Sequence, residues 1–297
     1  MRRQLVTAAG ALVAGSLLLQ ACSSHQLRRA RAARSYLGDQ LFVESAGSRE
    51  RPAMVFLPGM TGTTAYWREA GVLSFADHGA RVLLIDELGF GRSPWPDVDY
   101  TLEDHLAAIE RTLASQGASK DLTLVGHSFG SLLAAEYAAR HTDSVRRVIL
   151  FGTPLYRNEA EARQRLGEMS RLAGLTVRSS VLARLMCLLH TAFLPVSGRL
   201  ASRLPSDLPP AVLADGVLHF WPSVRGSTEN VVLRHSIEPA VAVLGAKLTF
   251  VHGRRDAVTP LERVREVAAS CGASLVVTDD DHLSYWRGAA QVLRGLE

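Results

Sequence analysis

The residues that can do chemistry in this chain centre on Gly126-His127-Ser128-Phe129-Gly130, where the apolar run Leu122–Val125 ends and a helical pattern through Leu132, Leu133, Ala135 and Tyr137 begins. A bend from strand into helix around one residue strains that residue's backbone and crowds its neighbours. Glycines on either side remove the side chains that would collide. Such a bend holds the Ser128 hydroxyl up beside the first amides of a helix, where a nucleophile and the donors for a developing oxyanion can meet. A Gly/Ser turn without chemistry is the bland alternative. A serine hydroxyl is a poor nucleophile at neutral pH and needs a base. His282 follows the last predicted strand, on the same sheet edge as Ser128. His252, within or just past a strand, is its rival, and His127 is next to the serine but should point away from it. An imidazole in turn needs a carboxylate to fix its tautomer. Asp256 sits in the loop after the preceding strand, and Asp279, Asp280 and Asp281 crowd His282 as alternatives.

The elements that must position these groups alternate. Strands are predicted over Gln40–Glu44, Ala53–Leu57, Arg81–Ile85, Leu122–Val125, Val145–Phe151, Lys247–Val251 and Leu275–Thr278. Between them lie helical patterns over Thr63–His78 and from Thr101, with Asp104 as a capping box, to Gly117. Another pattern runs through Leu261, Val264 and Val267, and a last one over Leu283–Leu296. This alternation predicts right-handed crossovers and a mostly parallel sheet with helices on both faces, its site beyond the carboxyl ends of the strands. From Leu155 to Ile237 the strands stop, leaving helical segments such as Glu159–Leu172 and Ser179–Phe193 broken by prolines. Met186, Leu189, Phe193, Leu218, Phe220 and Trp221 are apolar residues of this region that an acyl pocket can use, although the inner face of a helical layer needs the same types.

These features together resemble the α/β-hydrolase family, over about Gln40 to Glu297. The resemblance implies an α/β fold with a helical cap inserted after the sixth strand: a core over 40–154 and 238–297, and a cap over 155–237. A separate helical domain is the other reading of that insertion. The order Ser128, Asp256, His282 is the one expected of the family's triad, and Gly253 and Thr259-Pro260 flank the acid as relatives show. The resemblance maps the oxyanion donors onto the backbone N–H groups of Phe129 and Met60. It departs at Pro58-Gly59, where many relatives have His-Gly. Asp86 to Ser93 is similar to a family Asp-x-x-Gly-x-Gly-x-Ser segment and reads as loop bracing. A dinucleotide fingerprint fails there because Pro94 stands where the third glycine belongs. The implied activity is a serine hydrolase acting on an ester, lactone or lipid-type small molecule through an acyl enzyme, with no cofactor and no metal. Carbon–carbon bond hydrolysis uses the same residues, and a noncatalytic envelope binding protein is the alternative of another class.

The 297 residues, 47% hydrophobic, suffice for a large core. The net charge of +4 is an N-terminal matter: six of the 33 basic residues precede Asp39, leaving 27 against 29 acidic ones. The body is near neutral, which argues against a nucleic-acid face. Arg2-Arg3, the apolar run Leu5–Leu19 and Leu19-Gln20-Ala21-Cys22 have the parts of an export signal, and the end resembles a bacterial lipobox with Cys22 as the lipidated residue. Residues 1–22 are thus expected as a signal and 23–39 as a basic, largely solvated tether, with the protein lipid-anchored in a bacterial cell envelope. Cys187 and Cys271 are expected as separate buried thiols.

Overall fold

The computed structural model describes residues 2–168 and 179–296. Seven strands form one sheet: β1 (Val43–Ala46), β2 (Ala53–Leu57), β3 (Arg81–Ile85), β4 (Leu122–His127), β5 (Val145–Phe151), β6 (Leu248–Gly253) and β7 (Ser274–Thr278). Their spatial order is β1-β3-β2-β4-β5-β6-β7, and only β1 runs antiparallel, against β3. The described helices are α1 (Arg2–Arg34), α2 (Thr64–Glu69), α3 (Leu102–Ser115), α4 (Phe129–Arg140), α5 (Glu159–Glu168) and α6 (Ser180–Ala192). They continue with α7 (Leu194–Ala201), α8 (Pro210–Asp215), α9 (Trp221–Ser227), α10 (Glu238–Leu244), α11 (Leu261–Cys271) and α12 (Ala289–Arg294).

The central strands β2, β3 and β4 are buried along their whole length because both faces are covered. Alternation along β2 to β4 sorts their side chains into two cores. Val55, Leu57, Leu83, Ile85 and Leu124 face a layer with Leu106, Ile109, Leu133 and Val264. Met54, Phe56, Val82, Leu84 and Val125 face Trp67, Phe75, Tyr285 and Leu293. The capping box at Thr101 forms as expected, with Asp104 N–H on Thr101 Oγ1 and Thr101 N–H on Asp104 Oδ2.

Several boundaries differ from the sequence expectation for identifiable reasons. The first strand begins at Val43 rather than Gln40, because Ser93 Oγ and Thr112 Oγ1 take the Phe42 and Leu41 N–H groups. The helix expected over Thr63–His78 is α2 followed by a 3₁₀ segment, broken at Gly71, whose φ of 75° belongs to the left-handed region. The last helix likewise divides into a 3₁₀ turn over Ser284–Arg287 and α12. The helix expected over Glu159–Leu172 is described only as far as Glu168; 169–172 lie outside the described residues. The helical insertion, expected after a sixth strand, follows the fifth strand of this sheet, β5.

The largest difference is at the N-terminus. Residues 23–34, expected as a solvated tether, continue α1 as helix, and Ser23, Ala30 and Arg34 are buried. Helix α1 packs along α6. Arg34 lies 4.2 Å over the Trp95 ring and donates through Nε and Nη2 to Gly91 O, and Arg31 lies 5.3 Å over Phe220. Burial lowers the Arg34 pKa to about 10, so it stays charged at neutral pH. An arginine-rich stretch reads as solvated in sequence. Here, planar guanidinium groups stack on aromatic rings that the fold supplies from a distance. No single helix among the described residues is long and apolar enough to cross a membrane.

Candidate active site

Strand β4 ends at His127 and α4 begins at Phe129, so Ser128 alone makes the turn, with φ 50° and ψ −117°. A non-glycine residue in this region is strained, and such strain persists where the surroundings over-determine it. A Cβ at Gly126 would stand 2.5 Å from Gly130 O, and one at Gly130 would stand 2.2 Å from Pro58 O. Both approaches are closer than any side chain tolerates, which is why the serine is flanked by glycines.

The three sequence-predicted side chains converge. Ser128 Oγ lies 2.8 Å from His282 Nε2, and His282 Nδ1 lies 2.9 Å from Asp256 Oδ2. Asp256 Oδ1 accepts from Val258 N–H at 2.9 Å, and Oδ2 also accepts from Tyr285 Oη–H at 2.8 Å. Burial pushes the Asp256 carboxyl upward, but the charge and hydrogen bond of His282 and the Tyr285 hydroxyl outweigh it and hold the group well below the usual carboxylate range. The aspartate is therefore an anion, and the hydrogen bond it accepts places the imidazole proton on Nδ1, leaving the Nε2 lone pair for the serine.

Phe129 follows Ser128 as the first residue of α4, and Met60 lies in the loop after β2. Gly130 N–H donates to Pro58 O at 3.0 Å, tying the Pro58–Met60 loop to the elbow, and a Cβ at Gly59 would stand 3.3 Å from Ser128 Cβ. Among the described residues, neither the Met60 nor the Phe129 N–H donates to a protein acceptor. Pro58-Gly59 thus keeps the loop close without the histidine common in relatives.

The rival groups are occupied elsewhere. His252 Nε2 lies 2.9 Å from Thr259 O. Asp281 Oδ1 accepts from Leu283 and Ser284 N–H, Asp280 Oδ1 accepts from Ser284 Oγ, and Asp279 pairs with Arg254. The Asp86 carboxylate accepts from the Thr64 and Arg92 N–H groups at 2.6 and 2.7 Å, which is loop bracing, and burial raises its pKa to about 6.

Two residues were missed in sequence. His127 donates from Nε2 to His282 O at 2.8 Å and stacks on Tyr66 at 4.8 Å, so a side chain given no role in the sequence reading holds the backbone of His282. Tyr285 accepts from Gly253 N–H at 2.8 Å while it donates to Asp256. A single tyrosine among six carries no sequence signal of this role, beyond lying three positions after a histidine. Tyr285→Phe leaves the ring in place and removes one charge-assisted hydrogen bond. The expected result is a fall in kcat on the order of tenfold, about 1.4 kcal/mol, with KM unchanged. Equal changes in both parameters, or in stability alone, would assign Tyr285 to packing.

Burial holds three histidines neutral: His105 falls to about 4, and His127 and His219 to about 3. Their folded pKa values lie below the unfolded value, so the stability they confer is complete above about pH 6.5 and is lost as pH falls toward the folded values. His105 Nε2 meets Ser227 Oγ at 3.0 Å. His105→Gln keeps a partner for Ser227 and removes one titration. The slope of unfolding free energy against pH between about 6 and 4.5 should flatten by about 1.4 kcal/mol per pH unit, as read from urea titrations.

An apolar cavity of about 270 Å³ adjoins the site, lined by Met60, Tyr66, Leu208, Val212, Val217 and Leu283 among others. None of the six apolar cap residues singled out in the sequence lines it. Phe220 is instead stacked on Trp95 at 5.5 Å, while Leu189 and Phe193 are exposed. A larger cavity of about 610 Å³ lies at the α1 junction beside Arg34 and Trp95 and touches no residue of the triad. One group of metal-donor types is close together among the described residues: Cys187, His190 and His219 of the insertion offer ligand atoms within 4.8 Å of one another. Cys187 and His190 lie one turn apart on α6, and only His219 comes from a distance in sequence. Cys187 and Cys271 are both free thiols, Cys187 buried and Cys271 only partly so.

Residues 52–289 match the alpha/beta hydrolase fold family. Among curated proteins, the chain is 34% identical over 127 residues to the probable lysophospholipase BODYGUARD 2 of Arabidopsis thaliana, covering 40% of this chain and 27% of that protein. The match therefore spans about a quarter of the relative's length. Among solved structures it is similar to a carboxylesterase of Nitrososphaera gargenis, with TM-score 0.65 and 17% identity over 86% of this chain and 93% of that one. It is similar also to the enol-lactonase of Burkholderia xenovorans LB400, with TM-score 0.62 and 20% identity over 86% and 94%.

Proposed function

As the chain belongs to the alpha/beta hydrolase fold family, we propose that it is a serine hydrolase cleaving carboxylic-ester-type bonds through an acyl enzyme. The observation that carries this reading is the continuous hydrogen-bonded run from Asp256 through His282 to a strained, glycine-flanked Ser128. Ser128 Oγ attacks the carbonyl carbon while His282 Nε2 takes the hydroxyl proton. The carbonyl π electrons move onto oxygen, held by the Phe129 and Met60 amides, each lowering the barrier by about 3 to 4 kcal/mol. Collapse expels the alcohol, which takes the proton from His282. Water then repeats the sequence on the acyl enzyme and frees the acid.

The apolar cavity beside Met60 is the natural place for the acyl chain, and its 270 Å³ favours short and medium chains. Aryl esters from acetate to palmitate test this. kcat/KM should peak below the longest chain, and Val212→Trp should move the peak to shorter chains. Hydrolysis of vinylogous diketones with no turnover of any ester would instead assign carbon–carbon bond cleavage.

We further propose that Cys22 is lipidated and that the protein is held in the bacterial cell envelope, on the strength of Arg2-Arg3, the apolar run and Leu19-Gln20-Ala21-Cys22. Growth with a clickable fatty acid should label the chain, with the label lost in Cys22→Ala. An unlabelled wild type would contradict the anchor.

A further inference from the structure

We propose that the elbow formed by α6 and α7 is a membrane-docking face that seats this protein on an anionic lipid surface independently of any acyl anchor.

Val181, Leu185 and Leu189 recur at intervals of four along α6, and Phe193, Val196 and Leu200 carry the same row into α7. All six point to solvent, with exposures from 44% for Leu185 and Leu189 to 77% for Val181. Scattered exposed apolar residues need no explanation, but a continuous row along two joined helices does. The opposite side of α6 is turned inward, with Cys187, Thr191 and Ala192 buried.

The charge pattern selects the occupant. From Ser179 to Ser206 there is no aspartate or glutamate, while Arg184, Arg199 and Arg203 are exposed. Among the described residues none of these three forms an ion pair. Apolar residues on one side with unpaired arginines around them match a bilayer whose acyl region accepts the first and whose headgroups accept the second. Each arginine near an anionic surface multiplies the partition constant by about fivefold. The second observation is continuity. Helix α1, which carries Cys22, packs along α6, so the helix bearing the proposed lipidation point and a helix bearing the apolar row are in contact.

Neither helix spans a bilayer alone. The two helices meet at 104°, and α6 has 13 residues. At 1.5 Å per residue it reaches about 20 Å, short of the roughly 30 Å hydrocarbon core, and we place the pair in the interface.

The test uses the full chain carrying Cys22→Ala, which removes the acyl group and separates this proposal from the anchor reading. Co-sedimentation is measured with phosphatidylglycerol/phosphatidylethanolamine vesicles and with pure phosphatidylcholine vesicles. Leu185→Ser/Phe193→Ser/Leu200→Ser should lower binding to the anionic vesicles at least tenfold with circular dichroism unchanged. Arg199→Glu/Arg203→Glu should abolish the preference for anionic over zwitterionic vesicles. Equal binding by the triple serine variant would overturn the proposal and assign binding to α1. So would a concentration-dependent dimer that the triple variant alone dissolves, since the face would then serve a second copy of this chain.

Discussion

Ser128→Ala is expected to lower kcat for a good aryl ester by about 10⁶-fold, because the elements of a triad act as a unit and the remaining amides only retain binding and oxyanion stabilisation. The substitution removes one oxygen from a side chain whose backbone is fixed by Gly126 and Gly130, so the fold should not change. Alanine at φ 50° carries the same strain that serine does. Thermal unfolding of the variant should stay within a few degrees of wild type, and KM should move little. A variant retaining more than a hundredth of the activity would place the nucleophile elsewhere.

The next largest effect is Asp256→Asn, for which a fall of about 10⁴-fold in kcat is expected. In the native site both carboxylate oxygens accept: Oδ1 from Val258 N–H, Oδ2 from His282 Nδ1–H and Tyr285 Oη–H. An amide offers one acceptor and one donor. If its oxygen faces His282, its NH₂ meets the Val258 N–H. If its oxygen faces Val258, the NH₂ turns the imidazole to the wrong tautomer, with the proton on Nε2 where the serine needs a base. Either orientation also removes the negative charge that stabilises the imidazolium during attack. Because two donors are left competing in a buried site, a stability loss of about 1 to 3 kcal/mol should accompany the kinetic one. Rates measured at matched folded fraction separate the two.

The convergence of Ser128, His282 and Asp256, and the sheet that brings it about, were legible because each depends on local pattern. An apolar run that ends in glycine, serine and glycine is a strand turning into a helix. Loops after successive strands share one edge of a parallel sheet, which is how residues 128, 256 and 282 come together from across the chain. The reading of Met60 as an oxyanion donor rests on the family resemblance, since nothing in Pro58-Gly59-Met60 alone marks a donor. The supports were not legible. His127 looked like a residue pointing away from its neighbour, and it does point away from Ser128, but the tertiary fold brings the backbone of His282 to it. Tyr285 reaches Asp256 only because a 3₁₀ turn replaces the continuous helix that periodicity suggests. The apolar cap residues could not be assigned to pocket or layer for a related reason. Hydrophobicity says that a residue wants cover, but not which layer provides it, and Phe220 finds its cover on Trp95 and Arg31 instead of in the cavity. The segment before Asp39 misled most, because its arginines counted as solvated charge while two of them serve as flat lids on aromatic rings.

The most direct measurement is covalent labelling of the folded chain by a fluorophosphonate, read by mass spectrometry of the digested protein. The account predicts one adduct per chain, on the peptide containing Ser128, formed slowly in Asp256→Asn and not at all in Ser128→Ala. A folded wild-type protein that stays unlabelled, or that carries the adduct on a different serine, would contradict it.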